Sequence, residues 1–201
     1  MAWEEQEFTD RKFDSVETTP DEVFDHCQFI RCSFRHAVLS GLTTRACIFE
    51  QCSFLETNLS HSIHHVSSFL NCDFAGAGFM GATLKDCRLV GSDLTRARLI
   101  GIIIEGGDWS YSNLRGQSLA GLDFEGMRLI GAELAGCDLK ETSFRKADLS
   151  TANLSKAKMS GCDLRDANLI GADLKTADLR KAKMTFDGAI AFARAHEIIV
   201  E

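Results

Sequence analysis

A period of five governs this chain. The stretch from 161 to 179 reads GCDLRDANLIGADLKTADL, in which Cys162, Ala167, Ala172 and Ala177 each precede a leucine (Leu164, Leu169, Leu174, Leu179) by two residues. A helix repeats at 3.6 residues and a strand at 2, so a period of five fits neither. In an extended segment the small residue and the leucine share a face, and the odd step that follows reverses the facing unless the chain turns. Each pentapeptide is therefore one short extended piece and one corner. Four right-angle corners close a square coil of twenty residues, and the fifth piece starts the next layer.

The phase holds without insertion from Phe24 to Met184. Of the 33 central positions in that register, seventeen are Leu and ten are Phe, and only Thr44 and His64 are not apolar. The slot two before the centre is Ala, Cys, Ser, Thr or Gly in 27 of the 33, which leaves a narrow solenoid core rather than a globular one. Phe8 and Phe13 keep the step of five but lie one residue out of phase with Phe24, and the stretch SVETTPDEV between Phe13 and Phe24 holds the only proline, Pro20. The expected organisation is a partial coil and break over 1–23, a solenoid over 24–186, and a helix with a tail over 187–201. About eight coils, stacked at ~4.8 Å, would make a rod roughly 40 Å long.

The pentapeptides ADLST, ANLSK, ANLIG, ADLKT and ADLRK resemble the A(D/N)LXX pattern of the pentapeptide repeat family, over about 180 of the 201 residues. That resemblance implies an all-β fold, a right-handed quadrilateral parallel β-helix with four pentapeptides per coil.

Several side chains that could carry chemistry are absorbed by the repeat. All eight cysteines (Cys27, Cys32, Cys47, Cys52, Cys72, Cys87, Cys137 and Cys162) occupy the small inward slot, so they read as buried thiols, not as a metal or disulfide framework. Leu42 beside Thr44 looks like a volume swap, and Gly107 is expected to make room for Trp109. His64 has no visible compensation, so the run from His61 to His65 (HSIHH) is expected to bulge at its corner instead of binding a metal. No nucleophile–base set and no glycine-rich phosphate loop appears, which argues against an enzyme or a bound cofactor. No basic stripe with aromatics marks a nucleic-acid binder, and no apolar run is long enough for a membrane span. The acidic start MAWEEQEF does not read as a secretory signal, so a cytoplasmic location is expected.

The net charge of −7 is uneven. Residues 105–139 carry six acids and two bases, while 140–184 carry six acids and ten bases. The acids Glu105, Asp123 and Glu125 on one face, with Asp86, Asp108 and Asp138 nearby, form a candidate acidic belt for a basic partner groove. An outward column on the face of Trp109 (Ile30, Leu70, Val90, Ile130 and Ile170 among polar neighbours) is a second candidate interface.

After Met184 the repeat ends in TFDGAIAFARAHEIIVE. Asp187 looks like the N-cap of a short α-helix, and Ile198, Ile199 and Val200 form an apolar end. A solenoid's open edge must be covered, and a two-fold dimer through Phe186, Ile190, Phe192, Ala193, Ile198, Ile199 and Val200 would cover it. The tail DGAIAFARAHEIIV and the start, with Trp3 and EFTDRKF, are similar to the fluoroquinolone-resistance type of the family, the MfpA/Qnr type, and the unbroken register matches its loop-free, mycobacterial members. The resemblance implies a cytoplasmic homodimer that binds DNA gyrase, with topoisomerase IV as a second candidate, by standing in for duplex DNA. The alternatives are a scaffold for an unrelated protein partner and an immunity protein against a gyrase-targeting peptide toxin.

Overall fold

A computed structural model of the chain describes residues 3–19 and 21–200. Pro20, in the expected break, lies outside them. The chain divides after Gly107 into two compact units.

The first unit is a parallel β-solenoid of about five turns. Its strands alternate between two faces. On one lie β1 (Trp3–Glu4), β3 (Val23–Asp25), β5 (Thr43–Arg45), β7 (Ile63–His65) and β9 (Thr83–Arg88). On the next lie β2 (Glu7–Thr9), β4 (Gln28–Ile30), β6 (Ile48–Glu50) and β8 (Ser68–Leu70). Finally, β10 (Ile103–Asp108) pairs with β9. The pairings among β1–β9 are parallel, and from β3 onward partners are twenty residues apart, as in Phe24↔Thr44 and Thr44↔His64. The remaining two faces are joined by parallel bridges with the same step, such as Ser33↔Ser53 and Val38↔Asn58. The expected square coil is therefore the observed one.

The first layer steps by 21 instead, as in Trp3↔Phe24 and Phe8↔Phe29. One extra residue enters between Glu17, which still pairs with Val38, and Val23, which pairs with Thr43. Within that stretch Glu22 N–H donates to the Thr19 carbonyl at 3.1 Å. The extra residue accounts for the phase error of Phe8 and Phe13.

The core of this unit is a set of stacked rings. Phe29, Phe49 and Phe69 lie face to face 4.8 Å apart, and Phe34, Phe54 and Phe74 stack beside them at 5.1 and 4.9 Å. The small slot beside them does more than save space. Cys47, Cys52, Cys72 and Cys87 point their Sγ at the central carbonyls of Phe24, Phe29, Phe49 and His64, at 3.3–3.4 Å. Ser92 Oγ and Thr57 Oγ1 donate in the same way to Phe69 and Phe34. A thiol is a weak donor, but only while protonated; burial pushes Cys47 up to about 12, which keeps it so.

Each coil turns through a residue with positive φ two places after the centre, for example His26, Arg31, His36 and Gly41. Gly107 is a separate case. A Cβ there would sit 2.1 Å from the Cys87 carbonyl oxygen, at φ +113. Its glycine is explained by this close backbone approach, where the sequence suggested space for Trp109.

The second unit continues the repeat on its own ladders, Asp108–Arg128–Asp148–Asn168 and Asn113–Glu133–Asn153–Asp173 among them. Trp109 is fully buried within it, its indole nitrogen unpartnered and its ring edge-on to Phe124 at 6.3 Å. It ends in α1 (Phe186–Ala195), which starts from an extended Thr185. Asp187 lies inside the first turn, where its charge suits the helix N-terminus, so the cap position is two residues earlier than expected.

The expected bulge at HSIHH is absent. Ile63, His64 and His65 keep register with both neighbouring coils. His64 is fully buried, and its Nδ1 lies 2.8 Å from Thr44 Oγ1 while its Nε2 lies 2.9 Å from Ser62 Oγ. The second polar centre, Thr44, is the compensation that the sequence did not reveal.

Candidate partner-binding surfaces

In the first unit, Asp86 and Glu105 are exposed on adjoining strands. Glu105 pairs with Lys85, one coil away, at 3.2 Å. Asp86 turns the corner at φ 52, and its carboxylate lies over the bare Cα of Gly106.

In the second unit, Asp123 and Glu125 flank the buried Phe124, and Asp123 Oδ1 accepts the Glu125 N–H at 2.9 Å. Glu125 also pairs with Lys146 at 3.4 Å and Arg145 at 4.0 Å. Asp108 and Asp138 stand on two other faces of the coil. The first faces Arg128 at 3.5 Å and the second Lys140 at 3.4 Å. Four of the six belt acids thus come with bases, several of them twenty residues away, a pairing that becomes readable once the coil length is known. Exposed pairs of this kind contribute little to stability, so an incoming cation can compete for them. Nearby, Arg165 holds the Asp163 carboxyl down to about 2.

The outward column is mostly half-buried; Ile170, at 74% exposure, is the exception. It borders an open cleft of about 650 Å³ between the last coil and α1, floored by Leu169, Ala172, Ala191 and Ala195. Lys175 Nζ and Glu197 Oε1, 2.9 Å apart, bridge its rim. The sequence did not anticipate this cleft, because it arises from how the helix lies. Of the expected seam, Phe186 is 79% and Ile199 is 85% exposed, with Ile198 and Val200 also exposed. Ile190, Phe192 and Ala193 are half-buried, and the Phe192 ring sits edge-on to His196 at 4.3 Å.

Among the described residues, no group of three or more His, Cys, Asp or Glu could hold a metal ion, and no helix is long and apolar enough to cross a membrane.

Known families match both units. Residues 110–145 and 147–185 fit the model of pentapeptide repeats, and 23–99 fit that of a pentapeptide repeat region. The chain belongs to the pentapeptide repeat family. Within the family, it is 35% identical over 73 residues to the pentapeptide repeat protein MfpA of Mycobacterium tuberculosis. That match covers 36% of this chain and spans 40% of MfpA's length. The fold is similar to that of a trypsin-treated form of QnrB1, a plasmid-mediated fluoroquinolone resistance protein, with a TM-score of 0.85 and 23% identity over 100% of both chains. It also resembles HetL, a pentapeptide repeat protein involved in heterocyst differentiation regulation in the cyanobacterium Nostoc. There the TM-score is 0.59 and the identity 25%, over 92% of this chain and 89% of HetL.

Proposed function

We propose that this protein is a cytoplasmic homodimer, not an enzyme, that binds DNA gyrase in place of duplex DNA and modulates the enzyme under fluoroquinolones. The carrying observation is the likeness to QnrB1, which extends over the whole chain. The partial match to MfpA supports the same reading. Topoisomerase IV is the second candidate target.

The surfaces suggest how such a contact would work. Duplex DNA carries one negative charge per ~1.7 Å of axis, so a groove built for it is lined with cations. Here four of the six belt acids, Glu105, Asp108, Glu125 and Asp138, are paired with bases. Recognition would then rest on exchange of these ion pairs, that of Glu125 foremost, with Asp123 beside it and Asp86 in support. The exposed apolar residues at the C-terminal end would be covered by a second copy of the chain.

A scaffold role with an unrelated protein partner is the second reading, favoured by the likeness to HetL and by the charge balance of the acidic positions. Binding of the purified protein to immobilised gyrase, competed with linear duplex DNA, separates the two. Saturable binding that DNA displaces, weakened by Asp123→Lys with Glu125→Lys, supports the gyrase reading. No binding, or binding indifferent to DNA, favours the scaffold.

A further inference from the structure

A pentapeptide solenoid has a problem that its own regularity creates. Sliding one coil past the next by five residues places centre on centre and small slot on small slot again. In the first unit even the aromatic columns tolerate such a slip, because Phe29, Phe49 and Phe69 stand beside Phe34, Phe54 and Phe74. A slip would set Phe49 against Phe34 or Phe54 against Phe29, Phe on Phe again, with Phe against Leu in the next column. Apolar burial alone therefore specifies the coil shape but leaves its register weakly determined.

We propose that the buried pair Thr44 and His64 is the register lock of this unit. The hydroxyls and the imidazole around it form one connected hydrogen-bond chain. Ser62 Oγ lies 2.7 Å from the Leu59 carbonyl oxygen and 2.9 Å from His64 Nε2. His64 Nδ1, on the other side of the ring, lies 2.8 Å from Thr44 Oγ1. Thr44 Oγ1 lies 2.9 Å from Ser67 Oγ, which in turn accepts the Cys47 N–H at 3.2 Å. Every polar atom in this chain is satisfied across two coils.

A slip of five residues dismantles it. His64 would then lie over Leu39 or Phe49, and Thr44 would face an apolar centre. Each buried polar atom left without a partner lowers the population of that alignment by roughly tenfold to hundredfold. The pair thus penalises wrong alignments without having to add net stability to the right one, which is the best-attested use of a buried polar group in a repetitive core.

The test is a two-dimensional amide NMR spectrum of Thr44→Val with His64→Leu, recorded after refolding from denaturant. This double variant removes both partners together and leaves Ser62 and Ser67 bonded to backbone. The expected result is a thermal midpoint equal to or above that of the native chain. It should come with a second set of resonances over residues 24–88, at least roughly a tenth as intense as the first. Thr44→Ser keeps the hydroxyl and should give one set. A single set in the double variant overturns the proposal, as does doubling in Thr44→Ser. An unfolded or markedly less stable double variant also overturns it, because the pair would then be a stability element.

Discussion

Thr44 Oγ1 and His64 Nδ1 lie 2.8 Å apart, at the two polar centres of a core whose other centres are apolar. Both ring nitrogens face hydroxyls and no carboxylate is among its partners, so nothing beside the buried ring offsets the cost of charging it. Burial, with a smaller contribution from His65, pushes the His64 pKa down to about 3.

Stability should therefore fall with acid in a particular window. In the unfolded chain His64 titrates near its ordinary ~6.5. Between there and about 3 the unfolded state binds a proton that the folded state refuses. The neutral form's contribution is fully present above ~6.5 and is lost as pH falls through that range, at up to about 1.4 kcal/mol per pH unit. Urea unfolding at pH 7, 6, 5 and 4 should show a steeper decline for the native chain than for His64→Leu. Parallel declines would contradict the buried, neutral assignment.

The slot thiols should be replaceable by hydroxyls but not by methyls. Cys52 Sγ lies 3.3 Å from the Phe29 carbonyl, and Ser92 Oγ makes the equivalent contact to Phe69. Cys52→Ser is expected to stay within about 1 kcal/mol of the native stability, whereas Cys52→Val, which removes this donor and adds a methyl to a close-packed slot, should cost about 1–3 kcal/mol. Equal effects in equilibrium unfolding would reduce the slot to a volume constraint.

Gly107 should tolerate no side chain. Its missing Cβ leaves room for the Cys87 carbonyl, whereas at Gly136, also at positive φ, nothing lies within 4 Å. Gly136→Ala is expected to cost about 1–2 kcal/mol for the backbone conformation alone. Gly107→Ala should cost clearly more, because backbone must move as well. Comparable urea midpoints for the two variants would show that the approach to Cys87 relaxes easily.

The solenoid was legible because its signal repeats 33 times, so single exceptions cannot hide the period. The 21-residue first layer was legible in the same way, as a phase error of one at Phe8 and Phe13. What was not legible depends on two residues meeting across coils. Thr44 and His64 each looked like a defect, and only a step of twenty makes them partners. The bases that offset Glu105 and Asp108 emerge from the same step. The cleft beside Ile170 depends on how α1 packs, and no period encodes that.

The C-terminal end should govern self-association. Phe186 and Ile199 are exposed in the single chain, so changing them to Asp removes little from its own core. The double variant is expected to keep the native circular dichroism spectrum and to run as a monomer in light scattering, where the native chain runs as a dimer. A native monomer, or a variant that stays dimeric, would place the contact elsewhere or remove it.

The central functional claim is tested most directly by gyrase supercoiling, titrated with the purified protein in the presence and absence of a fluoroquinolone. The account predicts recovered supercoiling under the drug, or inhibition without it, saturating with protein concentration. Supercoiling unchanged in both arms, with gyrase from the matching organism, would contradict it.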